Sequence, residues 1–210
     1  MKIIHNQMID MGEVLRDARP RGIIECGAYH GIWWKTYAEH GIDNRCWIEA
    51  CPDNFEKLCQ TVPIEDVVVN VALLDENRPI DFVVTDNWQS GSILPLKLHL
   101  QKYPNIKPLK TVTVQGRTLD SLIDDGTIDI DLYDFVLMDL QGAEYYALKG
   151  FEKYIHMINY LVAEINYEEL YAGCMLVDDF DKYLEQLGLV KQWATQFDSV
   201  GWGDAYYKRV

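Results

Sequence analysis

Ile23 to Gly41 reads IIECGAYHGIWWKTYAEHG: a run of buried-type residues reaches an acid, Glu25, turns between Gly27 and Gly31, and enters an aromatic helix. Strand, glycine turn and helix N-terminus in this order present a ligand to backbone amides at the carboxyl end of an open α/β sheet. Gly22 to Cys26 is the predicted strand, Ile32 to His40 the helix, and Gly41 its C-terminal cap. One such unit cannot bury both faces of its strand, so the pattern has to repeat.

It does repeat. Cys46 to Ala50 is a second strand, followed by a helix with Pro52 in its first turn and an apolar face of Phe55, Leu58 and Cys59. Val67 to Leu73 is a third strand, interrupted by Asn70. The rhythm then breaks: IDFVVTD (Ile80 to Asp86) and TVTVQ (Thr111 to Gln115) are strand-like with no helical pattern between them. This predicts an inserted β-hairpin or sheet extension over 80–116, with Asn87 to Pro108 as a long connection of the kind that carries function.

Alternation resumes with a Thr118-capped helix, a Phe135 to Asp139 strand, a Gly142 to Ile158 helix, a Tyr160 to Asn166 strand and a Leu176 to Leu187 helix. VKQWATQ and DAYYKR close the chain as strands. The expectation is an α/β fold in one domain over 1–210, with a mostly parallel sheet and a short N-terminal segment over 1–21.

The formal net charge of -14 and pI of about 4.6 repel phosphate backbones and anionic lipid, so neither nucleic acid nor membrane is an expected partner. Lys102, Lys107, Lys110 and Arg117, broken up by Pro104 and Pro108, read as a solvated face. Cys26, Cys46, Cys51, Cys59 and Cys174 are odd in number and scattered, and read as reduced core thiols. With no secretory signal and no apolar window of membrane-spanning length, a cytoplasmic compartment is expected.

Acids sit at three strand ends: Glu25, Glu49 and Asp139. An acid after the second strand accepts hydrogen bonds from the ribose of any adenosine cofactor. The first loop has Gly27 and Gly31 but not G-x-G-x-x-G, because Ala28, Tyr29 and His30 fill the turn. A carboxylate beside that turn repels a pyrophosphate but suits the sulfonium and ammonium of S-adenosylmethionine. An NAD-dependent oxidoreductase is thus disfavoured, and a cofactor-binding module without chemistry is the remaining alternative.

The combination IIECGAYHG, WIEACPDNF, NVALLD, VTVQGRTLDSL, FVLMDLQGAEYYALKG and EINYEELYAG resembles the FkbM family of S-adenosylmethionine-dependent methyltransferases. The resemblance implies a class I methyltransferase (Rossmann-like) sandwich, a seven-stranded sheet with an antiparallel last strand, and methyl transfer to a hydroxyl. It places Glu25, Gly27, Ala28 and Gly31 at the methionine end of the cofactor, Glu49 and Ala50 at the ribose, and Asn70 and Ala72 near the adenine. Asp139, Gln141 and Glu144 face the reaction centre. Tyr29 and His30 stand where the family often has a small polar residue, and E-A-C-P stands at Glu49 to Pro52 where E-P-x-P is usual.

Such a transfer to a sugar, glycan or small-molecule hydroxyl needs a base. Asp139 is the first candidate, then Glu144 and His30. Asp139 and Glu144, with Glu164, could instead hold a divalent cation, which is possible but not expected. Trp88, Ser90 and Ser92 are candidate acceptor contacts, whereas Trp33 and Trp34 read as packing. Gly201 to Asp204 reads first as a turn, with a place at the rim of the active site as the second reading, and His5, His99 and His156 receive no role.

Overall fold

The computed structural model describes residues 2–196 and 199–210. Along the chain run β1 (Lys2–His5), α1 (Met11–Ala18), β2 (Gly22–Cys26), α2 (Trp34–Glu39), β3 (Asn44–Ile48) and α3 (Pro52–Thr61). Next come β4 (Val67–Val69), β5 (Ala72–Leu73), β6 (Arg78–Thr85), α4 (His99–Lys102), β7 (Pro108–Arg117) and α5 (Leu119–Asp124). The last third holds β8 (Phe135–Met138), α6 (Glu144–Lys149), β9 (Tyr160–Asn166), α7 (Val177–Gln186), β10 (Leu189–Gln196) and β11 (Trp202–Arg209).

Every residue of β2 and β8 is buried, as in a parallel strand covered on both faces. Alternation divides the core. Ile24, Cys26, Val136, Met138, Leu161 and Ala163 face α5, α6 and α7, while Ile23, Trp47, Phe135, Leu137 and Val162 face α1 and α2.

The main sheet has the order β1-β10-β11-β9-β8-β2-β3-β4. β11 is antiparallel to both β9 and β10, whereas β2, β3, β4, β8 and β9 pair in parallel. The expected seven strands and reversed last strand are therefore present, but the sheet is eight-stranded. Residues 1–21 are more than a leading segment: β1 pairs in parallel with β10, and α1 buries Met11, Val14 and Leu15.

Three further expectations change. The third strand divides at Asn70, whose side-chain amide donates to the carbonyls of Glu49 (2.7 Å) and Ala50 (3.3 Å). β4 stays in the main sheet, while β5 joins β7 and β6 in a separate three-stranded sheet. Of the two forms expected for the insertion, the hairpin is the one present: β6 and β7 pair antiparallel over their own small core. The helix expected over Gly142 to Ile158 stops at Lys149, because the Leu74 backbone crosses at Gly150, where a Cβ would lie 2.0 Å from the Leu74 carbonyl oxygen. Four cysteines are buried, but Cys59 is exposed and leaves the apolar face of α3 to Leu58 and the partly buried Phe55.

Thr118 caps α5 as expected, accepting from Ser121 N–H at 3.0 Å. Of the basic stretch, Lys102, Lys110 and Arg117 pair with Glu168, Asp53 and Asp125. Among the described residues, no helix is long and apolar enough to cross a membrane.

Candidate active site

A cavity of about 450 Å³ opens at the carboxyl ends of the main-sheet strands, within the size range of cofactor sites. Its first wall is the turn after β2. Gly27 and Ala28 N–H donate to Ile48 O at 2.9 and 3.0 Å, so the turn is tied to the end of β3. Gly27 has φ +84°, and a Cβ there would lie 1.8 Å from Asp139 O; the β2 and β8 loops touch through the missing side chain.

Tyr29 follows at φ +51°, a left-handed conformation that turns its N–H to Glu49 Oε2 (2.8 Å). Glu49 Oε1 accepts from Cys51 N–H, also at 2.8 Å. Each oxygen keeps a lone pair for a further donor, as recognition of a ribose diol requires. Glu49 and Ala50 line the cavity beside Ala72 and Leu73, where the chain crosses from one sheet to the other.

The second wall follows from strand periodicity. Glu25 on β2, Leu137 on β8, Val162 and Glu164 on β9 and Asp204 on β11 all line the cavity, and Glu164 and Asp204 are cross-strand partners. Gln141, at φ +54°, links this wall. Its amide nitrogen donates to Asp139 Oδ1 (2.6 Å) and Glu164 Oε2 (3.1 Å), and its oxygen accepts from Tyr171 OH (2.5 Å).

Burial raises the pKa of every one of these acids. Glu25 is pushed up to about 8, with Asp139 and Glu49 adding and the Tyr37 hydroxyl (2.6 Å) opposing. Glu49 rises to about 7 against the amides of Cys51 and Tyr29, and Asp204 to about 7 with help from the Asp139 field. Glu164 is raised well above the carboxylate range by burial and then by Asp139 and Glu144. Asp139 is raised too, by desolvation among the strand ends with the Gln141 amide opposing, although its side chain is exposed at the cavity. A cationic ligand is what this set of carboxylates accommodates, and among the described residues no lysine or arginine lines the cavity.

Four of the residues singled out from the sequence lie behind the lining. Gly31 packs on α3, where a Cβ would meet Val62 and Leu58, and Asn70 clamps the loop after β3. His30 stacks on Tyr29 (3.6 Å) and bonds Asn54 Oδ1 (3.2 Å). Glu144, buried and raised to about 7, accepts from Leu140 N–H (2.8 Å) and Gly142 N–H (3.3 Å), holding the Asp139–Gln141 loop from beneath. Among the described residues no three His, Cys, Asp or Glu side chains are grouped to hold a metal ion.

The long connection from β6 to β7 supplies the third wall. Trp88 and Ser90 line it, and Ser92 instead fastens the loop by donating to Gln141 O at 2.9 Å. Trp33 also lines the cavity. His99, Tyr103, Tyr171 and Trp202 join that wall, and of these neither His99 nor Tyr103 carries any sequence signal for the site.

A carboxylate-lined cavity with a diol acceptor after its second strand, set on this sheet, fits S-adenosylmethionine. A structure from Staphylococcus aureus proposed to be a caffeoyl-CoA O-methyltransferase is similar in fold, with TM-score 0.52 and 13% identity over 97% of this chain and 86% of that one. The 2-O-methyltransferase NoeI of Sinorhizobium fredii (strain NBRC 101917 / NGR234) is 30% identical over 110 residues, covering 49% of this chain and 44% of that relative. The match therefore spans less than half the length of that relative. The methyltransferase FkbM domain model matches residues 25–190, from the strand-end acid Glu25 into β10, and the chain belongs to the FkbM family of S-adenosylmethionine-dependent methyltransferases.

Proposed function

We propose that the protein methylates a hydroxyl group of a sugar, glycan or comparable small molecule. The carrying observation is the Asp139–Gln141–Glu164 arrangement, a carboxylate open to the cavity and held by one amide against a second, buried acid. When bound, S-adenosylmethionine supplies an electrophilic methyl group on a sulfonium. In this reading Glu49 holds the ribose hydroxyls, Glu25 attracts the ammonium end, and the Gly27–Ala28 turn admits the cofactor close to the backbone.

Asp139 takes the acceptor's proton. Its raised pKa brings a carboxylate toward the range where a general base works near neutral pH, and Gln141 fixes its orientation. Tyr171 and Ser92, both bonded to Gln141, keep that amide in place. Walls from the β6–β7 connection enclose the acceptor, so positioning and exclusion of water come from the insertion. The 30% identical relative, a 2-O-methyltransferase by name, supports transfer to oxygen.

The test is calorimetric titration with S-adenosylmethionine and S-adenosylhomocysteine on the protein and on Glu49→Ala, followed by transfer of labelled methyl to neutral glycosides by the protein and by Asp139→Asn. Binding that Glu49→Ala abolishes, and transfer that Asp139→Asn lowers by about 100-fold or more, are expected. A protein that binds neither sulfur compound refutes the reading, and full activity in Asp139→Asn removes Asp139 as the base.

A further inference from the structure

A second cleft, of about 480 Å³, lies at the amino ends of β2 and β3, the opposite end of the sheet from the cavity. Leu15, Arg16, Arg19 and Pro20 line it from the end of α1, and His40 and Ile42 from the end of α2. Leu15, Pro20 and Ile42 are buried, whereas both arginines are exposed and His40 is half-buried, so the charged groups are within reach of a ligand. Among the described residues no acid lines this cleft, in a chain with 33 acids against 19 lysines and arginines.

The other arginines of the chain are all engaged. Arg21, Arg45, Arg78 and Arg117 pair with Asp134, Asp66, Glu76 and Asp125, and Arg209 donates to the carbonyls of Ile155, Ile158 and Leu187. Arg16 and Arg19 form no ion pair among the described residues; Arg19 Nε donates to Arg16 O at 3.4 Å, along the last turn of α1. Arg19 keeps this place at φ 49° and ψ 56°, a left-handed cap position where glycine is usual. Two cations lining one cleft without a counter-charge repel each other, and an anion between them turns that repulsion into attraction.

A cation in the last turn of a helix ordinarily answers the free carbonyls at that end. Arg16 does not: its Nη1 lies back over the first turn of α1, 3.2 Å from where a Cβ on Gly12 would stand, and His40 Cε1 lies 3.6 Å from the same point. The missing side chain at Gly12 thus leaves room for guanidinium and imidazole together. Asp10 Oδ1, 3.3 Å from that point, is occupied as the cap of α1, accepting from Glu13 N–H at 3.0 Å, and forms no ion pair with Arg16. His40 Nδ1 donates to Thr36 O at 2.8 Å, which fixes the ring and leaves Nε2 for a ligand.

We propose that Arg16, Arg19 and His40 form a binding site for the phosphate group of a small phosphomonoester. Guanidinium forks match phosphate oxygens two at a time, and the imidazole donates to a phosphate oxygen when protonated or accepts from a P–OH when neutral. Leu15, Pro20 and Ile42 offer apolar surface to the body of the ligand. The net charge of -14 turns away nucleic acid and anionic membranes, whose many phosphates also meet the rest of the surface, whereas a single small anion meets only the cleft. The site stands apart from the cavity and is independent of the methyl-transfer reading.

The experiment titrates inorganic phosphate, phenyl phosphate and, as control, chloride into isotope-labelled protein at constant ionic strength and follows the backbone amide signals by NMR. Saturable shifts are expected over residues 12–20 and 36–42, with phenyl phosphate bound more tightly than inorganic phosphate and no response to chloride. Arg16→Gln and Arg19→Gln should each weaken phenyl phosphate about tenfold, and Arg16→Lys should weaken it less, because it keeps the charge without the fork. Melting temperatures of the three variants should stay near that of the unsubstituted protein, since neither arginine holds an ion pair. Shifts that do not saturate or that scatter over the surface overturn the proposal, as does undiminished affinity in both glutamine variants or an equal response to chloride. Equal affinity for the two phosphates overturns the phosphomonoester assignment. A lowered melting temperature in Arg16→Gln with phosphate affinity unchanged assigns the side chain to α1 and also overturns it.

Discussion

Raising the pH from 5 to 8 should destabilise the ligand-free protein, and S-adenosylmethionine should offset the loss. Glu49 has an ordinary pKa of 4.5 and is raised to about 7, chiefly by burial. Between those values the unfolded chain has released its proton and the folded chain has kept it, so stability falls as pH rises, by about 1.4 kcal/mol per pH unit for one group. Over the interval this is about 3 kcal/mol, equivalent to roughly 6–12 °C in melting temperature for a chain of this size. Glu25, raised to about 8, extends the decline to higher pH.

Other groups do not obscure the effect. Asp17, Asp124, Glu152 and Glu169 have lowered pKa values through surface lysines, so they are ionised in both states across this window. His30 and His99, lowered by burial, act in the opposite sense, but only up to about pH 6.5, where the unfolded chain loses its imidazolium protons. Scanning calorimetry in half-unit pH steps, with and without S-adenosylmethionine, measures the slope. Glu49→Gln should reduce it by about one group's share, since Glu25, Glu144 and Asp204 keep theirs, and cofactor affinity should rise with pH because a cationic ligand favours the ionised carboxylates. A ligand-free melting temperature that is flat or rising between pH 6.5 and 8 would refute the electrostatic account of the cavity.

Gly27→Ala forces a side chain into a backbone at φ +84° and against Asp139 O; it should cost about 2–5 kcal/mol in urea unfolding and abolish S-adenosylmethionine binding. Unchanged affinity there would mean that the β2 and β8 loops do not meet as described. Arg45→Met leaves the wholly buried Asp66 carboxylate with only the Trp47 indole N–H (2.8 Å), and should cost about 3–5 kcal/mol. Arg45→Met combined with Asp66→Leu should recover most of it, and a single-variant loss below about 1 kcal/mol contradicts the buried pairing.

What could be read from the sequence is what local chemistry decides. Glu25, the Gly27 turn and the Thr118 cap each depend on neighbours a few positions away, and the structure places all three as expected. Gly150 ends α6 because Leu74 O, from a distant strand end, occupies the space of its side chain, and no pattern within Gly142 to Ile158 records that. Asn70 looked like an interruption within one strand, yet it divides two sheets, since its amide is needed by the loop after β3. Four-residue β1 is too short for periodicity to register.

The candidate site divides along the same line. The cavity-lining acids lie at strand ends that hydrophobic runs predict, whereas Glu144 and His30 could be placed behind the lining only once their partners were visible. His99 and Asp204 stand out solely because buried atoms lack partners, a property of the folded molecule.

β1 and β10 pair with Ile3 opposite Ala194, roughly 190 residues apart. At about 5–20 residues per second, a ribosome completes the partner some 10–40 s after the first strand has left it. Between the synthesis of β9 and that of β11, roughly 40 residues and about 2–8 s later, the β9 edge that β11 will occupy is also open, and an unpaired edge is a template for other chains. The outer third of the sheet therefore closes last, and nascent chains stalled between β9 and β11 are the form of this protein most exposed to aggregation.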